Sequence, residues 1–168
     1  LADNLGTSVT VQRMVFGNAG GNSGAGVGFT RDPSNGENRL YIDWLQQAQG
    51  EDIVSGRRRV TAENDVPNWL MQKLAQVSES LEQNFRDAQE FEFTVENGEL
   101  FMLQTRTAKR TALASLRMAV DQVDSGLITP EEALGRLSSI DVDAITIRRV
   151  KSSKPPLGQA IPAGTGVA

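Results

Sequence analysis

The sequence predicts an α+β fold, an antiparallel sheet with flanking helices followed by a helical hairpin. Three observations carry this. Short alternating, β-branched stretches are separated by turn-forming Gly, Pro, Asn and Asp; one amphipathic segment long enough for a helix interrupts them; and two helical patterns punctuated by Gly126 follow a strand, Asn97-Gly98, strand unit. With 168 residues, 39% of them hydrophobic, there is enough apolar side chain for one globular domain or two small lobes.

Ser8 to Val15 alternates and is rich in β-branched residues, which predicts a first strand. The glycine-dense stretch from Gly17 to Gly26 reads as loop, because so much glycine weakens any regular element. Val27 to Thr30 predicts a second strand, Asp32-Pro33-Ser34-Asn35-Gly36 a turn, and Arg39 to Trp44 a third strand, together an antiparallel meander. Gln49-Gly50-Glu51-Asp52 reads as polar loop. From Val66 to Arg86, Leu70, Leu74, Val77 and Leu81 recur at helical spacing, with Pro67 tolerated in the first turn.

Glu90 to Glu96 and Glu99 to Thr105 flank Asn97-Gly98, a strong hairpin signal. Ala112 to Ser125 places Leu113, Leu116, Ala119, Val120 and Val123 on one stripe, and Gly126 stands where helices commonly end. Thr129-Pro130-Glu131-Glu132 opens the next helix with an N-cap, a proline at the first helical position and a glutamate to complete a capping box. The pattern weakens beyond Asp141, and Lys151-Ser152-Ser153-Lys154-Pro155-Pro156 reads as linker. The resulting division is a sheet-bearing lobe at 1–110, a helical hairpin at 111–140 and a linker at 141–168.

A net charge of −4 implies no polyanion-binding surface, so nucleic acid is not expected as a partner. The absence of cysteine removes disulfides and thiolate zinc sites and fits a reducing, cytoplasmic location. No apolar run approaches the ~18 residues that span a bilayer, so no membrane partner is expected. The chain opens without methionine and closes inside a Gly-rich segment, so both ends read as cut from something longer. It also has no histidine, so chemistry must come from carboxylates, amides, Lys, Arg or backbone groups.

Alternation selects a register for the hairpin. A two-residue Asn97-Gly98 turn would oppose Glu96 to Glu99 and mix polar and apolar groups on both faces. A three-residue loop, Glu96-Asn97-Gly98, pairs Val95 with Glu99, Phe93 with Phe101 and Phe91 with Leu103, making one face almost wholly apolar. The other face then gathers Glu90, Glu92, Gln104 and Arg106 beside Thr94, Leu100 and Met102. Two carboxylates, an amide and a guanidinium can hold a divalent metal together with phosphate, with Leu100 and Met102 as an apolar floor. On spacing alone a solvated polar face is the better reading, since most charged strand faces are only wet.

The blocks Val11-Gln12-Arg13-Met14-Val15-Phe16-Gly17-Asn18, Ser23 to Pro33, Ala48 to Val54 and Glu92 to Arg106 resemble, in order, consecutive segments of the pyruvate, phosphate dikinase family. The helical hairpin around Gly126-Leu127-Ile128-Thr129-Pro130-Glu131-Glu132-Ala133 is similar to the segment that follows. The resemblance implies part of an ATP-grasp nucleotide-binding domain, with ATP as substrate and Mg2+ as cofactor. It implies Glu92 as a magnesium ligand and catalytic residue, and Gln104 and Arg106 as contacts to nucleotide or phosphates, Gln104 also beside the metal and Arg106 also catalytic. Glu90 would be a second acid near metal and nucleotide, and Glu51 part of an active-site loop. Glu90 stands where the family more often has aspartate, and Asp43 where it often has glutamate.

The same resemblance implies transfer of the β-phosphoryl of ATP to a histidine on a separate phosphohistidine domain and of the γ-phosphoryl to phosphate. Pyruvate would be handled by a further domain, and the full-length protein would be a homodimer. This chain alone is expected to be inactive. A pyruvate, water dikinase relative and a non-catalytic module of the same fold are the alternatives. Lys109 and Arg110, just past the hairpin, are further phosphate candidates. The Gly17 to Gly26 loop, Arg57-Arg58-Arg59 and the basic residues Arg148, Arg149 and Lys151 read as structural or solvated, and Trp44, Trp69 and the phenylalanines as core.

Overall fold

The computed structural model describes residues 9, 11–54, 66–140 and 145. Four strands, β1 (Gly24–Phe29), β2 (Tyr41–Gln46), β3 (Gln89–Glu96) and β4 (Glu99–Thr107), form one sheet in the order β2-β1-β3-β4, every neighbouring pair antiparallel. The helices are α1 (Gly50–Val54), α2 (Asn68–Phe85), α3 (Ala112–Asp124) and α4 (Pro130–Leu137). The predicted α+β class, antiparallel sheet and helical hairpin are all present. The three basic residues from Arg57, those around Arg148, and the 141–168 segment apart from residue 145 lie outside the described residues.

Three glycines on one face of β1 organise the core. Gly24, Gly26 and Gly28 alternate, so they share a face, and a β-carbon on any of them would fall closer than 3.0 Å to a ring: Trp44, Phe93 and Phe91 respectively. The rings lie flat across the strand, with Trp44 and Phe93 stacked at 5.8 Å and 2°. This corrects the loop reading at Gly24 to Gly26, while Gly17 to Ser23 lies outside the strands as expected. Glycine weakens a strand where nothing replaces its side chain, but here aromatic rings from β2 and β3 fill that space. From the other side α2 seals this layer with Leu70 and Leu74, both fully buried.

The strand expected at Ser8 to Val15 does not form among the described residues of that stretch. β-Branched residues need a partner strand to profit from alternation, and this segment instead leaves Val9, Val11 and Met14 79%, 94% and 69% exposed. The polar loop expected at Gln49 to Asp52 is largely the short helix α1, whose entry is held by the Gln49 N–H donating to Asp52 Oδ2 at 3.0 Å. α2 begins after Pro67 and ends at Arg86, which takes a left-handed conformation (φ 55°).

α3 turns inward a face that overlaps the expected stripe only at Ala119 and, half-buried against it, Val123. Ala114, Met118, Ala119 and Gln122 are buried, while Leu116 and Val120 remain exposed. Ala114 is small enough to let the helix approach Ala88 and Ala108 at the strand ends, and Gln122 is drawn in by polar partners. The capping box of α4 is complete, Thr129 and Glu132 bonding each other's backbone N–H. Trp44 is core as expected, whereas Trp69 is 37% exposed with the Lys73 ammonium over its ring.

Asp87, between α2 and β3, is the polar hub holding this helical pair to the sheet. Its carboxylate accepts from both Arg110 Nη atoms at 2.8 and 3.0 Å and from Gln122 Nε2 at 3.4 Å, and Arg136 Nη1 is 3.5 Å away. Arg86 adds a bidentate pair to Glu132 at 2.9 and 2.7 Å and donates to the Leu127 carbonyl. Burial works to raise the Asp87 carboxyl, but hydrogen bonding and charge from Arg110, the Ala88 N–H and the charge of Arg136 outweigh it and hold it below the usual carboxylate range.

Two outcomes follow. Gly26→Ala should destabilise the fold by about 1–3 kcal/mol in urea unfolding, because Phe93 must leave its place, whereas Gly21→Ala, with nothing within 4 Å of the added carbon, should be close to neutral. Because the folded Asp87 titrates below its unfolded value of ~3.9, its stabilisation is complete above that pH and is lost as pH falls through the folded value. Asp87→Asn should therefore flatten the acid limb of the stability curve, and an unchanged acid limb would remove Asp87 from that role.

Candidate functional site

The hairpin reaches the expected polar face by a different route from the expected one. Its turn is the two-residue Asn97-Gly98, with both residues left-handed (φ 51° and 83°), so Glu96 opposes Glu99, Thr94 opposes Phe101 and Phe93 opposes Met102 rather than Phe101. Tertiary bonds select this turn. The Asn97 N–H donates to Ser23 Oγ at 3.0 Å and the Gly98 N–H to the Asn22 carbonyl at 2.8 Å. The like charges are offset because Glu96 accepts from Arg13 and from the Phe16 N–H, each at 3.2 Å.

Between Glu92 and Phe93 the register shifts, with Phe93 opposite Met102 but Glu92 opposite Gln104, so Leu103 is the extra residue of a β-bulge. The bulge reverses the alternation of β4. Beyond it Glu92 faces Gln104, Phe91 faces Thr105 and Glu90 faces Arg106. The four polar residues therefore share a face as expected, whereas Leu100 and Met102 pair with Val95 and Phe93 on the opposite, aromatic face and provide no floor. Leu100 packs into the core cluster.

Carried across the sheet, these pairings make two rows on the face away from the rings. One is Asp43, Val27, Glu92, Gln104; the next is Tyr41, Phe29, Glu90, Arg106. At ~4.8 Å between strands, Asp43 and Glu92 lie roughly 10 Å apart with Val27 between them. Asp43, Val27 and Glu92 are half-buried and Gln104 is exposed. On one side the second row packs through Phe29, which meets Tyr41 edge-on at 6.0 Å, against the cluster of Ala88, Ala108, Ala114 and Met118. On the other side lie Ala25, Leu45 and Thr94, all buried, and Phe101, under the Arg13 guanidinium at 5.9 Å.

Asp43 joins this row through alternation in β2, where it falls between the inward-facing Ile42 and Trp44; that signal was available in the sequence. Val27 shares the row because Gly26 and Gly28 face the rings. Glu51 sits exposed in the first turn of α1, beside β1 and β2 but outside both rows. Arg110 is committed to Asp87, and Lys109 is exposed. A cavity of about 410 Å³ lies elsewhere, between α2 and the α3–α4 turn, lined by Thr30, Arg31, Glu82 and Leu127 among others. Its wall holds the buried Arg31–Glu82 pair, bonded at 2.8, 3.1 and 2.9 Å.

Electrostatically the two rows differ. Glu90 bonds Arg106 directly, and this hydrogen bond, the Glu90 charge and the charge of Glu92 hold the guanidinium further above its ordinary range. Glu92 faces an amide instead. Among the described residues no group of three or more His, Cys, Asp or Glu side chains is disposed to hold a metal. The donor set fits an ion that brings its other ligands with it. Mg2+ typically takes one or two protein carboxylates and completes its shell with water and substrate phosphates, and Glu92 with the Gln104 amide oxygen offers that much.

Residues 1–67 match the family described as pyruvate phosphate dikinase, AMP/ATP-binding domain. Over 97% of its length the chain is 45% identical to the pyruvate, phosphate dikinase of Clostridium symbiosum, and over 100% it is 44% identical to that of Giardia intestinalis. It is 41% identical, over 97%, to that of Rhizobium meliloti. The chain spans only about 20% of the length of these relatives. The hairpin lies beyond the family match but within the alignments to the relatives.

Proposed function

We propose that this chain forms part of the ATP-grasp nucleotide-binding domain of a pyruvate, phosphate dikinase and that the open face of its sheet holds the phosphates of MgATP. The observation that carries the reading is the placement of Glu92 opposite Gln104 and Glu90 opposite Arg106 on the face of the sheet away from the rings, in a chain similar to pyruvate, phosphate dikinases over nearly its whole length. Decay to a non-catalytic module would not be expected to retain that constellation. The relatives' printed names favour phosphate over water as the second acceptor.

In this reading Glu92 and Gln104 supply oxygen to Mg2+, which offsets phosphate charge as it builds up, and Arg106 supplies forked donors to a phosphoryl group. Val27 and the neighbouring Phe29 and Tyr41 give the floor its apolar part. The remaining cationic clamp, the acceptor histidine and the pyruvate site belong to other parts of a longer protein, which would work in the cytoplasm as a homodimer. The chain contains no histidine, so it cannot itself carry the phosphohistidine. No helix among the described residues is long and apolar enough to cross a membrane.

The test is single-turnover transfer from ATP to histidine in the full-length protein at saturating Mg2+. Removing a carboxylate ligand that compensates transition-state charge costs on the order of 3 kcal/mol, so Glu92→Gln should slow the step roughly a hundredfold. A rate equal to wild type would take Glu92 off the metal and return the face to a solvated surface. The 168-residue chain alone should form no nucleotide-dependent product.

A further inference from the structure

We infer that Glu90 is a positioning residue, which holds Arg106 aimed at phosphate and does not ligate the metal. This rests on the reading of the sheet face as a phosphate site. It departs from the sequence expectation that Glu90 serves as a second acid at metal and nucleotide.

The first observation is register. The bulge at Leu103 brings Glu90 directly opposite Arg106 at the end of the hairpin that packs on Phe29, and their side chains form an ion pair there. The second is the asymmetry of burial. The Glu90 side chain is 9% exposed and that of Arg106 51%. A carboxylate so enclosed, with an oxygen committed to a guanidinium, is poorly placed to meet a cation that gives up its water reluctantly.

The guanidinium is in the opposite situation. It has five N–H donors in a rigid plane and is anchored through Nη2, which leaves donors on its exposed edge for an anion. The anchor is itself braced, since Thr105 Oγ1 lies 3.3 Å from both the Glu90 carbonyl and Gln89 Oε1, and the Gln89 N–H donates to Thr30 Oγ1 at 3.0 Å. Thr30 in turn bonds Glu82 at 2.7 Å, so the arginine is tied through β3 to the buried Arg31–Glu82 pair.

The chemical consequence is preorganisation. A free arginine loses rotamer freedom each time it engages phosphate, whereas one held in advance by a cross-strand carboxylate has already lost it on folding. Glu92 contributes differently. It is half-buried, faces an amide, and is the carboxylate on this hairpin left facing the open row.

The test compares Glu90→Ala, Glu90→Gln, Arg106→Ala, the double variant Glu90→Ala/Arg106→Ala and Glu92→Gln in the full-length protein, by single-turnover transfer from ATP across a Mg2+ titration. A positioning role predicts that Glu90→Ala slows the step on the order of tenfold or more with no change in the Mg2+ concentration required, and that Arg106→Ala is not made worse by adding Glu90→Ala. Glu90→Gln, which keeps shape and an acceptor, should recover part of the loss. A second readout avoids turnover altogether: in the 15N-labelled chain the Arg106 Nη resonances should be separately resolved by hindered rotation and should coalesce in Glu90→Ala.

A raised Mg2+ requirement in Glu90→Ala, or losses that add in the double variant, would overturn the inference in favour of direct ligation. A wild-type rate for Glu90→Ala beside impaired Glu92→Gln and Arg106→Ala would overturn it while leaving the phosphate site standing. If Glu92→Gln and Arg106→Ala also ran at the wild-type rate, the underlying reading of the face would fail and this inference with it. Should Glu90→Ala fail to fold, Glu90→Gln decides by the same Mg2+ and Nη criteria.

Discussion

Three alternating glycines on a central strand are the constraint on which the rest of this structure depends. With no β-carbon at Gly24, Gly26 and Gly28, the rings of Trp44, Phe93 and Phe91 can lie across the β1 backbone, and the aliphatic side chains of α2, Leu70 and Leu74, close the core over them. A strand presents side chains alternately to its two faces, so committing those positions to the rings sends Ala25, Val27 and Phe29 to the other side. Pairing then sends Asp43, Glu92 and Glu90 with them. The polar rows are thus a consequence of how the core is packed.

The bulge at Leu103 completes what the glycines begin. An unbroken ladder from the Asn97-Gly98 turn would have carried Leu103 to the open face and turned Gln104 and Arg106 toward the core side. One additional residue reverses that alternation over the half of β4 that matters and leaves Leu100 and Met102 on the aromatic face near the turn. The hairpin can therefore be apolar against the core at one end and polar toward solvent at the other.

Polar connections are made where the helices meet the sheet. Arg31 with Glu82 and Arg110 with Asp87 are enclosed pairs, each joined by two or more hydrogen bonds that offset the cost of desolvation, and they tie the helices to the sheet. The chain from Glu82 through Thr30 and Gln89 to Thr105 and Glu90 extends this framework to the edge of the candidate site. The guanidinium of Arg106 is positioned by the same network that locks the helices.

Local chemistry by itself determined the α+β class, the bounds of α2 to within a few residues, the Asn97-Gly98 hairpin and the capped start of α4 at Thr129, whereas the cluster Glu90, Glu92, Gln104 and Arg106 expected from a three-residue loop forms through a two-residue turn and the bulge at Leu103. Each of the locally determined features rests on a period, a cap or a turn residue that acts over a few positions. Tertiary structure alone decided the rest. Gly24 to Gly26 became strand because rings distant in sequence supply the missing side chains, and the turn took its two-residue form because Asn22 and Ser23 accept its N–H groups. α3 buried Ala114 and Gln122 in place of Leu116 and Val120 because Ala88 and Asp87 demanded a small residue and a polar one. The distinction between Glu90, closed onto Arg106, and Glu92, left toward the open row, was equally invisible in the sequence: both are glutamates on one face of one strand, and only the residues opposite them, set by the bulge, make them different.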